Sequence, residues 1–348
     1  MALTKVSTGV VDMSGSTGAL EIAKGATTAV AAPLGTLRAN TTTNKMEVYA
    51  STGWRILKEG GDVLTALTVD YLAVAGGGAG GNSYGASGSG GGAGEFLYKT
   101  GQSLAAGVQY NVTIGAGSIC AASPNSPSPN GGDSTFNSDT TNGGGGGVNA
   151  EAIPNPGISG GSGSGGLFNG TGGSSLKTAG GLGNSGGAGG PVSGRYTGGG
   201  GGGASTAGGA GASTLAGNGG DGESNSITGT AVIYSAGGGG GNYGVNPTAQ
   251  GGSSGIGGNA SITGVPATPT NYGCGGAGGS YNGALTIAYQ GGNASDGVVI
   301  LRYPDAYQIN LTAGASPAFN STNAVVGADT IVTTITAGSG TITFSLKP

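Results

Sequence analysis

The chain has 348 residues, a net charge of −4, no histidine and 86 glycines, and charged side chains make up only 7% of it. The missing histidine removes the commonest general base and transition-metal ligand, so enzymatic chemistry, metals and cofactors are not expected. Between Lys99 and Arg302 the only cations are Lys177 and Arg195, too few to neutralise a phosphate backbone, which argues against nucleic acid as a partner.

No stretch reaches 18 consecutive apolar residues, and the start MALTKVSTGVVDMSG lacks a basic region followed by an apolar run. The chain therefore reads as neither Sec-exported nor membrane-inserted. Cys120 and Cys274 stand far apart without CxxC spacing and read as small buried or incidental thiols. Sustained helical periodicity is absent, so the expected fold class is mainly β with very little α-helix.

Three zones follow in chain order. Residues 1–62 read as short strands joined by polar turns, GTLRA, MEVYA and WRIL. Alternation places Met46 and Val48 on one face of a strand, and Trp54 and Ile56 on one face of the next, giving an N-terminal β-meander. This unit is thin enough to need a second layer or another copy of itself.

The second zone, 63–304, holds nearly all the glycine. A flexible linker is the plain reading of a run such as GGGGGG. Two features oppose it. Charge is too sparse to keep a disordered segment of this length in solution, and β-type insertions such as VQYNVTIG, SITGTAVIYSA and DGVVILRYP interrupt the glycine runs. Ordering a glycine costs more backbone entropy than ordering any other residue, so packing must offset that loss. An extended helix with three residues per turn makes no internal hydrogen bonds and directs its amides and carbonyls to neighbours. Glycine lets those neighbours approach. The expectation is therefore a bundle of polyglycine II-like helices, parallel and antiparallel, framed by β-strands. The strict Gly-X-Y period of collagen is absent from GGASTAGGAGASTLAGNGG.

The third zone, 305–348, returns to alternation, as in TIVTTITA followed by TITFSL, and is expected to be a C-terminal region of β-strands, a small β-domain.

GxGxxG matches occur by chance at this glycine content, and no GK pair is present for a phosphate loop. The acidic pairs Asp221 with Glu223 and Glu59 with Asp62 fit no calcium pattern and read as solvated turns. Tyr84, Tyr196, Tyr243, Tyr272 and Tyr281 each flank a glycine run. They are the candidate receptor-binding residues, because a ring with a hydroxyl tip suits stacking on sugars or joining a protein interface. Their alternative role is to cover bundle ends or fill gaps between subunits.

Two resemblances extend this reading. The run from Gly35 to Tyr49, GTLRANTTTNKMEVY, closing at Gly53-Trp54, resembles a module that recurs in tail-fibre and other structural proteins of tailed bacteriophages, and departs from it at Ala39. The glycine-rich zone resembles the glycine-rich domain of phage tail fibres and adhesins, opening at Tyr71-Leu72-Ala73-Val74-Ala75-Gly76 and closing at Gly297-Val298-Val299-Ile300-Leu301-Arg302-Tyr303. What they imply is a non-enzymatic virion structural protein, assembled in the host cytoplasm, of tail-fibre or tail-associated adhesin type. Its expected partners are other virion proteins, its own copies as a homotrimer, and a bacterial surface glycan or outer-membrane protein. A protein that decorates capsid or tail and binds only other virion proteins is the alternative. A depolymerase embedded in a fibre is the enzymatic rival.

Overall fold

A computed structural model describes residues 66–83, 86–121, 126–149, 155–191, 196–243, 249–260, 271–282, 287–314, 320–327 and 329–347, with backbone strands at 24–25, 37–40, 45–50 and 53–56. The chain divides into two compact units, Met1–Val63 and Leu64–Pro348.

The first unit holds the expected meander. Strands β2 (Leu37–Asn40), β3 (Lys45–Ala50) and β4 (Gly53–Ile56) pair antiparallel in order, with Tyr49 opposite Trp54. A short β1 (Lys24–Gly25) adds in parallel to β2.

In the second unit the strands run β5 (Ala66–Val74), β6 (Phe96–Ala105), β7 (Gln109–Thr113), β8 (Ser134–Phe136) and β9 (Asp139–Thr141). Two small hairpins follow, β10 (Glu223–Asn225) with β11 (Val232–Tyr234), and β12 (Tyr281–Asn282) with β13 (Ile287–Ala288). Last come β14 (Val298–Pro304), β15 (Tyr307–Ala313), β16 (Asn320–Val325), β17 (Thr330–Ala337) and β18 (Ser339–Leu346). One four-residue helical turn, Gly252–Gly255, is the α-helix among the described residues. The fold is mainly β.

Ten of these strands form two five-stranded sheets, ordered β16-β17-β14-β5-β6 and β15-β18-β7-β8-β9. Alternation sends Leu67, Val69 and Tyr71 of β5 and Val299, Leu301 and Tyr303 of β14 to one face. There they meet Val112, Phe136, Ile342 and Phe344 of the second sheet in one buried cluster. The result is a β-sandwich. The opening and closing strands of the glycine-rich zone are neighbours, Tyr71 opposite Leu301 and Val74 opposite Val298. The stretch 305–348 supplies strands to both sheets, β17 beside β14 and β18 beside β7.

The glycine segments leave the sandwich from one end, where Val74, Phe96 and Val298 lie level and the Ser134 hydroxyl donates to the Val74 carbonyl at 2.8 Å. Segment 88–95 shows their packing rule. Gly88, Gly91 and Gly94 donate to Gly279, Gly276 and Gly273; Ser89, Gly92 and Glu95 donate to Val148, Gly145 and Asn142; Gly90 and Ala93 donate to Gly199 and Gly202. Its carbonyls accept from three further segments, through Gly78, Gly238 and Gly165 among others, and all these bonds measure 2.7 to 3.1 Å. Successive residues thus face three directions and every third residue faces the same neighbour. This is a threefold extended helix with six neighbours, the polyglycine II packing that the composition calls for. Segment 198–203 repeats the pattern, donating to 238–241, 163–166 and 206–209. Neighbours run both ways: 90 and 93 meet 199 and 202 in parallel, whereas 88 and 91 meet 279 and 276 in antiparallel.

Glycine is required here by distance. A Cβ on Gly91 would sit 2.0 Å from the Gly78 carbonyl oxygen, and one on Gly201 1.9 Å from that of Gly91. The α-hydrogens that replace those side chains point at carbonyl oxygens, adding weak Cα–H···O contacts to the N–H···O bonds.

The outermost segments close the lattice with side chains. Three Asn-x-x-Asp runs, NGGD at 130–133, NGGD at 218–221 and NASD at 293–296, each accept two amides three residues apart on one neighbour. Asn130 and Asp133 take Gly146 and Gly143 at 2.9 and 2.8 Å. Asn293 and Asp296 take Cys120 and Gly117 at 2.9 and 2.7 Å. Asn218 takes Gln250 at 3.0 Å and Asp221 takes Ser253. One turn of a threefold helix separates the two acceptors, and one turn separates the two donors, so the side-chain oxygens extend the lattice by one segment. Asp221 is thus not a freely solvated turn residue: it holds a neighbouring amide, and Glu223 accepts from the Ser205 hydroxyl at 2.5 Å. Glu59 and Asp62 lie outside the described residues.

At the sandwich, Tyr71 and Lys99 both donate to Asp139. Burial pushes the Asp139 carboxyl up, but the hydrogen bonds from Lys99 and Tyr71 and the Lys99 charge outweigh it and hold the group below its ordinary range.

Three outcomes test this fold. Gly91→Ala or Gly201→Ala should destabilise the second unit by about 3 kcal/mol or more in chemical unfolding. Gly209→Ala, whose nearest obstacle is the Asn218 nitrogen at 3.1 Å, should cost much less; equal effects would refute the lattice. Asp133→Ala should lose about 1 to 3 kcal/mol, with Asp133→Asn, which keeps an acceptor oxygen, recovering most of it. Because Asp139 is depressed in the folded state, its stabilisation is full above the unfolded pKa of about 3.9 and is lost as pH falls through the lower folded value. Asp139→Asn should therefore reduce stability at neutral pH and flatten the acid limb of the unfolding curve.

Candidate functional site

The glycine helices have two ends with different chemistry. The end on the sandwich is apolar: Leu72, Val74, Phe96 and Ile300 on the outer face of the first sheet pack with Ala204, Ile227 and Tyr234. Burial, with the neighbouring Tyr272 second, pushes the Tyr234 hydroxyl up to about 12. From Tyr234 to Tyr243, and again from Tyr272 to Tyr281, the chain advances nine residues. At three residues per turn that is three turns and about 28 Å. The two helices run parallel, Gly275 donating to Ala236, Gly278 to Gly239 and Tyr281 to Asn242. Tyr243 and Tyr281 consequently emerge side by side at the far end, joined by a parallel bridge.

Tyr196 reaches the same end from a third helix, and Phe168 from a fourth. The four rings form a row, Phe168–Tyr196–Tyr243–Tyr281, with successive centroids 5.1, 5.7 and 5.2 Å apart. The first two contacts are edge-on, the arrangement that ring quadrupoles favour. Phe168 is buried; the three tyrosines are half-buried.

Phe168 and Asn169 both have positive φ, 51° and 58°, and Gly170 donates back to the Leu167 carbonyl at 2.7 Å. Residues 167–170 therefore make a tight turn with both central residues left-handed. Asn is at home there, whereas a phenylalanine in this conformation is strained by roughly 1 to 3 kcal/mol, and the turn sets its ring at the head of the row.

Beneath the rings lies a layer of buried amides and hydroxyls, including Ser83, Ser87, Thr197, Asn242 and Ser280. The Asn242 backbone N–H donates to the Ser280 hydroxyl at 3.1 Å and Tyr243 N–H to the Asn242 side-chain oxygen at 3.0 Å. The Thr197 hydroxyl donates to the Ala212 carbonyl at 2.6 Å, and the Ser87 hydroxyl to that of Tyr196. This layer fixes the backbone from which each tyrosine projects. Among the described residues no carboxylate or cation takes part in it.

Of the five tyrosines singled out in the sequence, Tyr196, Tyr243 and Tyr281 come together. Tyr272 stands at the opposite end, packed on the apolar cluster beside the first sheet. Tyr84 lies outside the described residues. Phe168 was missed. The signal available for it was the lone bulky pair in GGLFNGTGG, read alongside the Gly-Gly-Asn/Ser-Tyr pattern of GGNYG and GGSYNG.

Elsewhere the described residues offer little for chemistry. Cys274 is buried and its thiol is pushed up to about 11 by that burial; burial also raises Cys120. The rise keeps both protonated at neutral pH, which disfavours the thiolate that nucleophilic chemistry needs. A shallow depression of about 170 Å³ between Asp70, Arg302 and Asp329 is smaller than the usual small-molecule site. Among the described residues no group of three His, Cys, Asp or Glu could hold a metal ion, and no helix is long and apolar enough to cross a membrane.

No curated protein matches the chain. Residues 62–304 match the family described as glycine-rich domain, a span that begins just before β5 and ends with the last residue of β14. It contains the whole lattice and the aromatic row, and the chain belongs to the glycine-rich domain family.

Proposed function

We propose that this protein is a bacteriophage virion structural protein, of tail-fibre or tail-associated adhesin type, that contacts the bacterial surface and performs no catalysis. The single observation that carries the reading is the aromatic row. Its rings stand on a hydrogen-bonded backbone lattice, about 28 Å from the sandwich end, where a binding surface gains from being already ordered. In this reading the N-terminal meander, with its resemblance to a phage structural module, attaches the protein to other virion proteins. Thin sheets of that kind gain a second layer when copies associate, which favours a homotrimer.

Antibody labelling of intact particles tests the location. Label at the fibre or tail tip, with purified protein reducing adsorption of those particles to their host, is the expected result. Label that follows the head lattice would replace this reading with the decorating protein. In solution the trimer should show about three times the chain mass of 32.2 kDa by light scattering.

A further inference from the structure

We propose that the aromatic row is a carbohydrate track whose ligand is an uncharged glycan lying along Tyr196, Tyr243 and Tyr281, with the buried Phe168 backing the first of these rings. The inference rests on reading this end of the bundle as the contact face, and it names what is contacted. Three observations select the ligand chemistry.

The first is the surface itself. Ring spacings of 5.1 to 5.7 Å make a continuous line of π-faces and edges one ring wide. A pyranose presents C–H groups on its faces and hydroxyls around its rim. The faces suit the rings, and the rim suits tyrosine hydroxyls, which combine an apolar body with a polar tip. The second is charge. Among the described residues the layer under the row consists of amides and hydroxyls, groups that pair with sugar hydroxyls, whereas a phosphate, a carboxylate or an ammonium would lose water without gaining an opposite charge among them. The third is size. A folded protein partner needs about 800 Å² from each side, and the aromatic surface among the described residues at this end, three half-buried tyrosines in single file, is much narrower than that. A thin linear chain fits a line of rings. Rigidity completes the case: the tyrosines have few rotatable bonds, and the lattice already fixes their backbone, so little entropy is lost when a flexible saccharide docks.

The test uses the full chain on an array of bacterial surface polysaccharides and neutral oligosaccharides, followed by saturation-transfer NMR with each glycan retained. Binding to at least one neutral glycan is expected, insensitive to salt, with saturation passing from tyrosine ring protons to sugar C–H groups. Tyr243→Ala and Tyr196→Ala should each weaken it about tenfold or more. Tyr243→Phe should keep most of the affinity, and Tyr272→Phe at the opposite end should change nothing. The ring-to-sugar transfer is read on the unaltered protein, so it decides the matter even where an alanine variant misfolds. An array that retains no neutral glycan, binding only to charged glycans, or affinity that survives loss of the row's rings in folded variants would overturn the proposal. Particles whose adsorption is blocked by a protein that retains no glycan would leave the contact face standing and remove the carbohydrate. Label on the head lattice would remove the virion-tip reading while the array result stood by itself.

Discussion

The second unit depends on one constraint: an extended glycine chain must place an amide and a carbonyl against neighbours in every direction around its axis. A β-strand meets this demand in one plane and leaves two faces for side chains. A threefold glycine helix meets it in three dimensions and leaves room for few side chains, small ones such as those of Ser89 and Ala93. The bond pattern of segment 88–95, where Gly90, Gly91 and Gly92 donate to Gly199, Gly276 and Gly145, is that demand satisfied at consecutive residues. Ordering so much glycine is costly in entropy. The offset comes from amides that are almost wholly paired and carbonyls that also receive α-hydrogens.

Such a lattice has no intrinsic boundary, and its ends and sides need stopping. At one end the β-sandwich does this. Its strands pass directly into glycine helices, so the pairing of β5 with β14 sets which helices begin as neighbours. Along the sides the Asn-x-x-Asp pairs do it, using side-chain oxygens where the backbone pattern would otherwise call for another helix. This is the counterpart of the charged and bulged residues that close sheet edges. It also accounts for part of the acidity of the chain, because Asp133, Asp221 and Asp296 each hold a backbone amide. At the far end the amide and hydroxyl layer plays the same part, and the aromatic rings stand on it.

How much of this was legible follows from where side chains carry information. The strands were legible because Val, Ile and Tyr alternate in TVDYLAV and VVILRY. The threefold packing was legible as a class, since only that geometry uses uncharged glycine at such density. Its register was not. A glycine run looks the same after a shift of one residue, and nothing in GGGGGG says which neighbour each amide will find. The markers were the residues that are not glycine. Asn218 and Asp221, one turn apart, specify a neighbour on their side. Tyr234, inside the β-type insertion SITGTAVIYSA, and Tyr243 are separated by nine residues of threefold helix, which place one against the sandwich and the other in the row. The same spacing explains why Tyr272, grouped in sequence with Tyr281, sits with Tyr234 instead.

On the proposed function, a binding surface made by helix ends varies differently from one made by turns. In a β-hairpin, altering the turn shifts the register of the strands beside it. Here each ring is set by its own helix, and each helix is held along its length by up to six others, so a substitution at Tyr243 or Tyr196 removes a ring without moving the lattice beneath. The interior tolerates few side chains, as the 2.0 Å approach at Gly91 shows, whereas the half-buried rings of Tyr196, Tyr243 and Tyr281 stand on the polar layer that anchors them. On the proposed function, a support that must remain glycine is thereby separated from rings that can be exchanged, and that separation suits a surface whose ligand changes faster than its support.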